Sequence, residues 1–167
     1  MIYEIVVDSK ETPNKCTVLP LSDRSDFHFF SATGSQSLGP LTAPVLLHHD
    51  GRCLLELKNE IASISILASI DCVWRRLPIL MNRIEWKNNH TPILARIPEG
   101  FKTAYPRVSR SNTDPAAGLA TIEALFTAAA ILGHWDGTLL SKYYFGEKYV
   151  RLNQNLFKEL GVFPGNP

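Results

Sequence analysis

The run Ile64-Ser65-Ile66-Leu67-Ala68-Ser69-Ile70-Asp71-Cys72-Val73-Trp74 carries an apolar stretch into an acid and a tryptophan. Ile64, Ile66, Leu67, Ala68 and Ile70 read as a buried strand, short and bounded by polar residues. Its end therefore holds Asp71 and Trp74 rigidly at the rim of a sheet. Ligands of open α/β sheets bind at that rim. An aspartate at a strand end also serves as a turn former or helix cap, so the neighbouring segments have to decide between the two.

Outward toward the N-terminus the pattern stays α/β. Ile2 to Val7 is a strand by its β-branched content. Phe27 to Phe30 and Val45 to Leu47 are further strands, the latter closed by the turn signal His49-Asp50-Gly51. Ser31 to Pro44 reads as a loop, and Leu54 to Ile61 as a short helix feeding the strand that ends at Asp71. Toward the C-terminus the chain turns helical. Trp74 to Lys87 spaces Leu77, Leu80 and Ile84 as a helix does, with Pro78 restricting where it starts. Thr91 to Pro115 holds four prolines and little periodicity, which marks a long functional loop. Leu119 to Leu132 is apolar nearly all round, so it is a buried helix, stopped by Gly133. Thr138 to Tyr144 and Val150 to Leu160 read as two more helices around Gly146. The expected organisation is an α/β domain over 1–90 and a cofactor loop with a helical domain over 91–167.

Composition narrows the function classes. The chain has 167 residues, 45% of them hydrophobic and 20% charged, which is ordinary for a soluble globular protein. No apolar run approaches the ~20 residues that span a bilayer, and the N-terminus shows no basic leader, so no membrane partner is expected. Cys16, Cys53 and Cys72 are odd in number and never form a Cys-x-x-Cys pair. Neither a disulfide framework nor a zinc site fits those spacings, and a reducing cytoplasm does. His48 and His49 are neighbours on a strand and are expected to point to opposite faces, so no metal site is assigned to them. Trp86 and Trp135 read as packing or surface-helix residues.

Net charge is only +1, but its distribution is uneven. Residues 1–70 hold five Lys and Arg against eight Asp and Glu; residues 71–167 hold twelve against eight. Arg75, Arg76, Arg83, Lys87, Arg96, Lys102, Arg107 and Arg110 fall within one span, which reads either as a solvated mixed surface or as a basic lip for phosphates.

Four segments occur in order: Lys15-Cys16-Thr17; Asp71-Cys72-Val73-Trp74; Gly118 to Leu125; and Leu139 to Gly146 running into Leu152-Asn153-Gln154-Asn155-Leu156. Together they resemble the ribosome-biogenesis rRNA aminocarboxypropyltransferases. Val108 to Leu125 is also similar to the related DTW-domain tRNA aminocarboxypropyltransferases. The resemblance implies a SPOUT-like fold with a C-terminal knot, S-adenosylmethionine as cofactor, and transfer of its 3-amino-3-carboxypropyl group to a uridine-type base. It implies an RNA partner, rRNA or a ribosomal-subunit precursor before tRNA, and a monomer. A SPOUT-like RNA methyltransferase and a non-catalytic RNA- or ribosome-binding module are the competing readings.

Carried over residue by residue, the resemblance makes Asp71 the catalytic position. It either holds the ammonium of the transferred arm or helps remove the imide proton of the base. The first fits better, because a carboxylate beside a cationic donor stays ionised and weakly basic. Trp74 offers a flat apolar surface to a sulfonium or adenosine. Thr17 suits a ribose hydroxyl, Thr121 either bonds its own helix carbonyl one turn back or lies under the adenine, and the backbone at Leu94 faces it. Lys15, Arg75 and Arg107 are the expected RNA contacts. Glu123, in an apolar helix, needs a partner and is expected to hold a structural hydrogen bond. The chain departs from the family at Arg96 to Phe101, where the family has Asn-Pro-Val-Asn-Tyr-Gly. It departs again at Leu55 to Asn59, which replaces a Leu-Ser-Pro-x-Asp element, and at Val18-Leu19-Pro20, where the family's lysines are missing.

Overall fold

Five strands, all parallel, build the sheet that organises the molecule: β1 (Ile2–Asp8), β2 (Phe27–Ala32), β4 (Val45–Cys53), β5 (Ile66–Asp71) and β7 (Ile93–Arg96). Their order is β2-β1-β5-β4-β7. The computed structural model describes residues 1–10, 16–60, 64–106 and 118–164. A parallel sheet must be covered on both faces, and the sequence alternates accordingly. Tyr3, Ile5, Val7, Val45 and Leu67 belong to one core; Val6, Leu46, Ala68 and Ile70 belong to the other. The first core is covered by α1 (Leu54–Glu60), α3 (Thr121–Ile131) and α4 (Gly146–Glu159). The second is covered by α2 (Leu77–Met81) and by a small parallel ladder of β3 (Leu38–Leu41) with β6 (Ile84–Trp86).

The strand order contains a switch point. The chain leaves β4 through α1, whose Leu54 and Leu57 lie in the first core. It leaves β5 through α2, whose Leu77 and Leu80 lie in the second. Connections that part to opposite faces open a crevice at the carboxyl ends of the adjacent strands.

The structure corrects several sequence expectations. Ser31 to Pro44 is not wholly loop: β3 lies within it, held by buried Leu38 and Leu41. The helix expected over Trp74 to Lys87 is only a 3₁₀ turn (Trp74–Arg76) and the short α2. Pro78 fixes its start, and Arg83 then turns the chain into β6, its guanidinium donating to the carbonyls of Thr33 and Gln36. Thr91 to Pro115 contains β7, whose Ala95 is fully buried. Thr138 to Tyr144 gives only a 3₁₀ turn, Gly137–Leu140. The turn expected at His49-Asp50-Gly51 is instead a bulge inside β4: Leu47 and Arg52 both register with Ala95, so the residues between them are extruded.

Helix α3 is as expected. All its residues but Thr121 and Ala124 are buried. Gly133, at φ +90°, closes it, with Gly133 N–H donating to the Ala130 carbonyl at 3.0 Å and His134 N–H to that of Ala129 at 2.8 Å. Trp135 packs as read, edge-on against Phe126, Phe157 and Phe163; Trp86 packs edge-on to His90. No helix among the described residues is long and apolar enough to cross a membrane.

Candidate active site

A cavity of about 810 Å³ lies at the carboxyl ends of β5 and β7 and beside the bulge of β4, within the usual range for small-molecule sites. Its walls come from Leu47, His48 and His49 of β4, from Ser69, Ile70, Cys72 and Trp74 at and after the end of β5, and from Ala95 to Phe101. Gly118, Leu119, Thr121 and Ala124 complete it from the start of α3. Thr121 and Ala124, three residues apart, share the helix face turned to the cavity.

Asp71 ends β5 and is 9% exposed. Two elements remote in sequence hold it: the Cys16 thiol donates to Oδ2 at 2.7 Å, and the Thr121 hydroxyl donates to Oδ1 at 2.6 Å. Both donors are neutral. The nearby Arg76 guanidinium is committed to buried Asp8, and among the described residues no Lys or Arg pairs with Asp71. Burial, and then the Asp71 carboxylate beside it, push the Cys16 thiol up to about 12, so Cys16 stays protonated and remains a donor. Thr17 accepts from the Ile122 backbone N–H at 3.3 Å, at the first turn of α3. The sequence-predicted Thr17, Asp71 and Thr121 are thus brought together, with Trp74 on the cavity wall. Leu94 sits inside β7, opposite Leu46, and packs against the second core; its neighbours Ala95 to Ile97 line the cavity. Arg75 is exposed on the 3₁₀ turn beside Trp74. Lys15 and Arg107 lie outside the described residues.

The start of α3 is anchored by Glu123, which is fully buried. Its Oε1 accepts from Ala104 N–H at 2.8 Å and from the Tyr143 hydroxyl at 2.9 Å. Its Oε2 accepts from the Thr103 hydroxyl at 2.6 Å and Ala120 N–H at 2.9 Å. Glu123 therefore has the structural role expected of it, tying the helix to the segment after the cavity loop. Burial and the Glu123 carboxylate raise the Tyr143 hydroxyl far above its ordinary range, so it stays a donor. Sequence reading missed the second anchor. The Asn153 side chain accepts from Lys102 N–H at 2.8 Å and donates to the Lys102 and Tyr149 carbonyls. Its signal was an amide in the Leu152-Asn153 element, on the side of α4 that carries buried Tyr149 and Phe157.

The expectation that His48 and His49 point to opposite faces is overturned. In a bulge the alternation of strand side chains is lost. Their rings stack at 4.4 Å and 27°, His49 stands edge-on to Trp74 at 5.1 Å, and ligating atoms of His48, His49 and Asp50 gather within 4.8 Å of one another. Gly51 is required there. A Cβ on it would lie 2.5 Å from the Ala95 nitrogen and the Leu94 carbonyl carbon.

No family model matches the chain. It is 28% identical over 156 residues to the 16S rRNA aminocarboxypropyltransferase of Halobacterium salinarum, covering 92% of this chain and 83% of that protein. Its fold is similar to that of the SAM-dependent rRNA:acp-transferase Tsr3 from Vulcanisaeta distributa, with a TM-score of 0.63, 19% identity, and coverage of 97% of this chain and 84% of that one.

Proposed function

We propose that this chain, which groups with the rRNA aminocarboxypropyltransferases, is an enzyme that transfers the 3-amino-3-carboxypropyl group of S-adenosylmethionine to a uridine-type base of structured rRNA. One observation carries the reading: a buried carboxylate, Asp71, lies between the cavity-lining Ile70 and Cys72 and behind the lining Thr121, with neutral donors and no cation paired with it among the described residues. A buried charge left uncompensated is costly, so the site suits a ligand that brings its own positive charge. S-adenosylmethionine carries two, on its ammonium and its sulfonium.

The other walls fit the same donor. Leu47, Ile97 and Leu119 offer apolar surface for an adenine, and Trp74 a π-face for a cation. When bound, S-adenosylmethionine supplies an electrophilic carbon whose neutral thioether leaving group makes a covalent enzyme intermediate unnecessary. The protein's task is then to choose which of three carbons meets the nucleophile, a matter of positioning. Asp71 does this by holding the ammonium, with Thr121 and Cys16 fixing the carboxylate. The segment from Arg96 to Phe101, which differs from the family pattern, forms the opposite wall and is anchored by Asn153. Exposed Arg75, with Lys15 and Arg107, supplies phosphate contacts to RNA.

The same reading extends to a SPOUT-like chain path with a C-terminal knot, supported by the resemblance in sequence. It also takes 1–90 as an α/β domain and 91–167, which adds β7 to the sheet, as the part that completes the donor site, acting as a monomer in cytoplasmic ribosome biogenesis. The test is isotopic. Donor labelled on the carboxyl carbon is expected to label ribosomal RNA, while methyl-labelled donor leaves its label in methylthioadenosine. Methyl label in RNA would replace the proposal with a methyltransferase.

A further inference from the structure

The cavity rim carries a pair of side chains that the donor site does not use. The bulge in β4 turns His48 and His49 toward the cavity, stacked on each other and braced edge-on by Trp74. Their ring nitrogens are differently engaged. Asp50 backbone N–H donates to His48 Nδ1 at 3.2 Å, which leaves the proton of the neutral ring on Nε2. His49 Nε2 lies 3.3 Å from Asp50 Oδ2, which favours the proton on Nε2 and leaves Nδ1 with a free lone pair. Burial, and then the His49 ring, hold His48 below its ordinary value, in keeping with a neutral donor. One ring thus offers N–H and its neighbour a lone pair, side by side.

That pattern complements a carbonyl next to an imide N–H. It does not complement the cytosine edge, where a ring nitrogen lone pair would meet the lone pair of His49. We propose that His49, oriented by Asp50, is the base that takes the imide proton of the target nucleotide, and that His48 Nε2–H marks the adjoining carbonyl. The inference rests on the transfer reading above. As the imide proton passes to His49 Nδ1, the nitrogen lone pair forms the N–C bond to the propyl carbon. The C–S bond opens with its electron pair going to sulfur. The proton then leaves the imidazolium for solvent, which reaches His49 because its side chain is 43% exposed. The charged and titratable groups around this pair are Asp50 on the bulge, Cys72 just after β5, Arg96 at the end of β7 and Glu99 beyond it.

The test uses His49→Ala and His49→Gln in the full chain. Both are expected to bind donor within about threefold of the parent, since Asp71 is held by Cys16 and Thr121 and not by His49. Both lose transfer on the order of 100-fold or more, as loss of a general base does. Gln keeps an acceptor yet cannot take a proton, so its failure separates base from anchor. In His49→Ala, added imidazole restores part of the rate. Independently of turnover, nitrogen-15 side-chain spectra are expected to show both rings unprotonated at Nδ1 and protonated at Nε2. Transfer by His49→Ala above about a third of parent, an Nδ1–H signal on His49, or loss of activity with a chelator would each overturn the base assignment. A parent that transfers no carboxyl label at all overturns the donor reading and this inference with it. A parent that transfers while His49→Ala does so equally well overturns this inference alone.

Discussion

Thr121 and Asp71, fifty residues apart, meet through a hydrogen bond of 2.6 Å between the hydroxyl and Oδ1. The bond joins the first residue of α3 to the last of β5, so the helix and the strand end form one rigid corner at the cavity. A hydrogen bond to a charged group is worth about 1.5–3 kcal/mol. Thr121→Val is therefore expected to weaken S-adenosylmethionine binding on the order of tenfold to a hundredfold, with little change in far-UV circular dichroism. Asp71→Ala should cost several orders of magnitude in transfer. Calorimetric titration and label transfer check the two.

Glu123 is the stability counterpart. Four donors converge on its carboxylate, from Thr103, Ala104, Ala120 and Tyr143. Each donor left buried without a partner costs about 1–3 kcal/mol. Glu123→Ala is expected to lose more than about 3 kcal/mol of unfolding free energy by the same accounting, and to loosen the loop over the cavity. Glu123→Gln, which replaces one accepting oxygen by a donor, should fall between. Urea denaturation measures both, and equal stability of Glu123→Ala and parent would remove the anchor role.

What the sequence made legible is what local pattern governs. The run ending at Asp71, the apolar helix stopped by Gly133, and the isolated Glu123 each follow from periodicity or from the cost of a lone buried charge. The strand-end acid and Thr121 could be named, but their contact could not, because nothing local joins β5 to α3. Three features escaped for the same reason. β7 is only four residues long, in a proline-rich stretch, and is a strand because β4 is there to pair with it. Cys16 reads as a small hydrophobe until Asp71 is beside it. The histidine bulge looks like a turn because Gly51 and Asp50 are turn residues. Only the approach of the Leu94–Ala95 backbone to Gly51 shows that the glycine serves a strand that continues.

At the surface, Arg75 is exposed next to Trp74, whereas Arg76 and Arg83 are tied to Asp8 and to backbone carbonyls. Of these three, only Arg75 is expected to matter for RNA. Arg75→Ala should lower the slope of log affinity against log salt by about one, the loss of one phosphate contact. Arg83→Ala should leave that slope unchanged while reducing stability. Filter binding of ribosomal RNA fragments across a salt series separates them.

The Cys16–Asp71 contact gives a pH signature whose sign is fixed. The thiol titrates near 9.0 when free and at about 12 in the folded protein, so folding favours its protonated form. The stabilisation linked to it is fully present below pH 9 and is lost as the pH rises toward 12, because the unfolded chain ionises first. Cys16→Ser keeps a hydroxyl donor to Asp71 and has no group that titrates in that window. Tyr3, Tyr143 and Tyr149 are also raised by burial, so the informative quantity is the difference between the two proteins. Parent stability is expected to fall more steeply than that of Cys16→Ser between pH 9 and 11, with the curves parallel below pH 8. At pH 8 the folded parent should also resist alkylation at Cys16, since little thiolate forms there. Prompt alkylation of Cys16 in the folded protein would mean that the thiol is not held by Asp71.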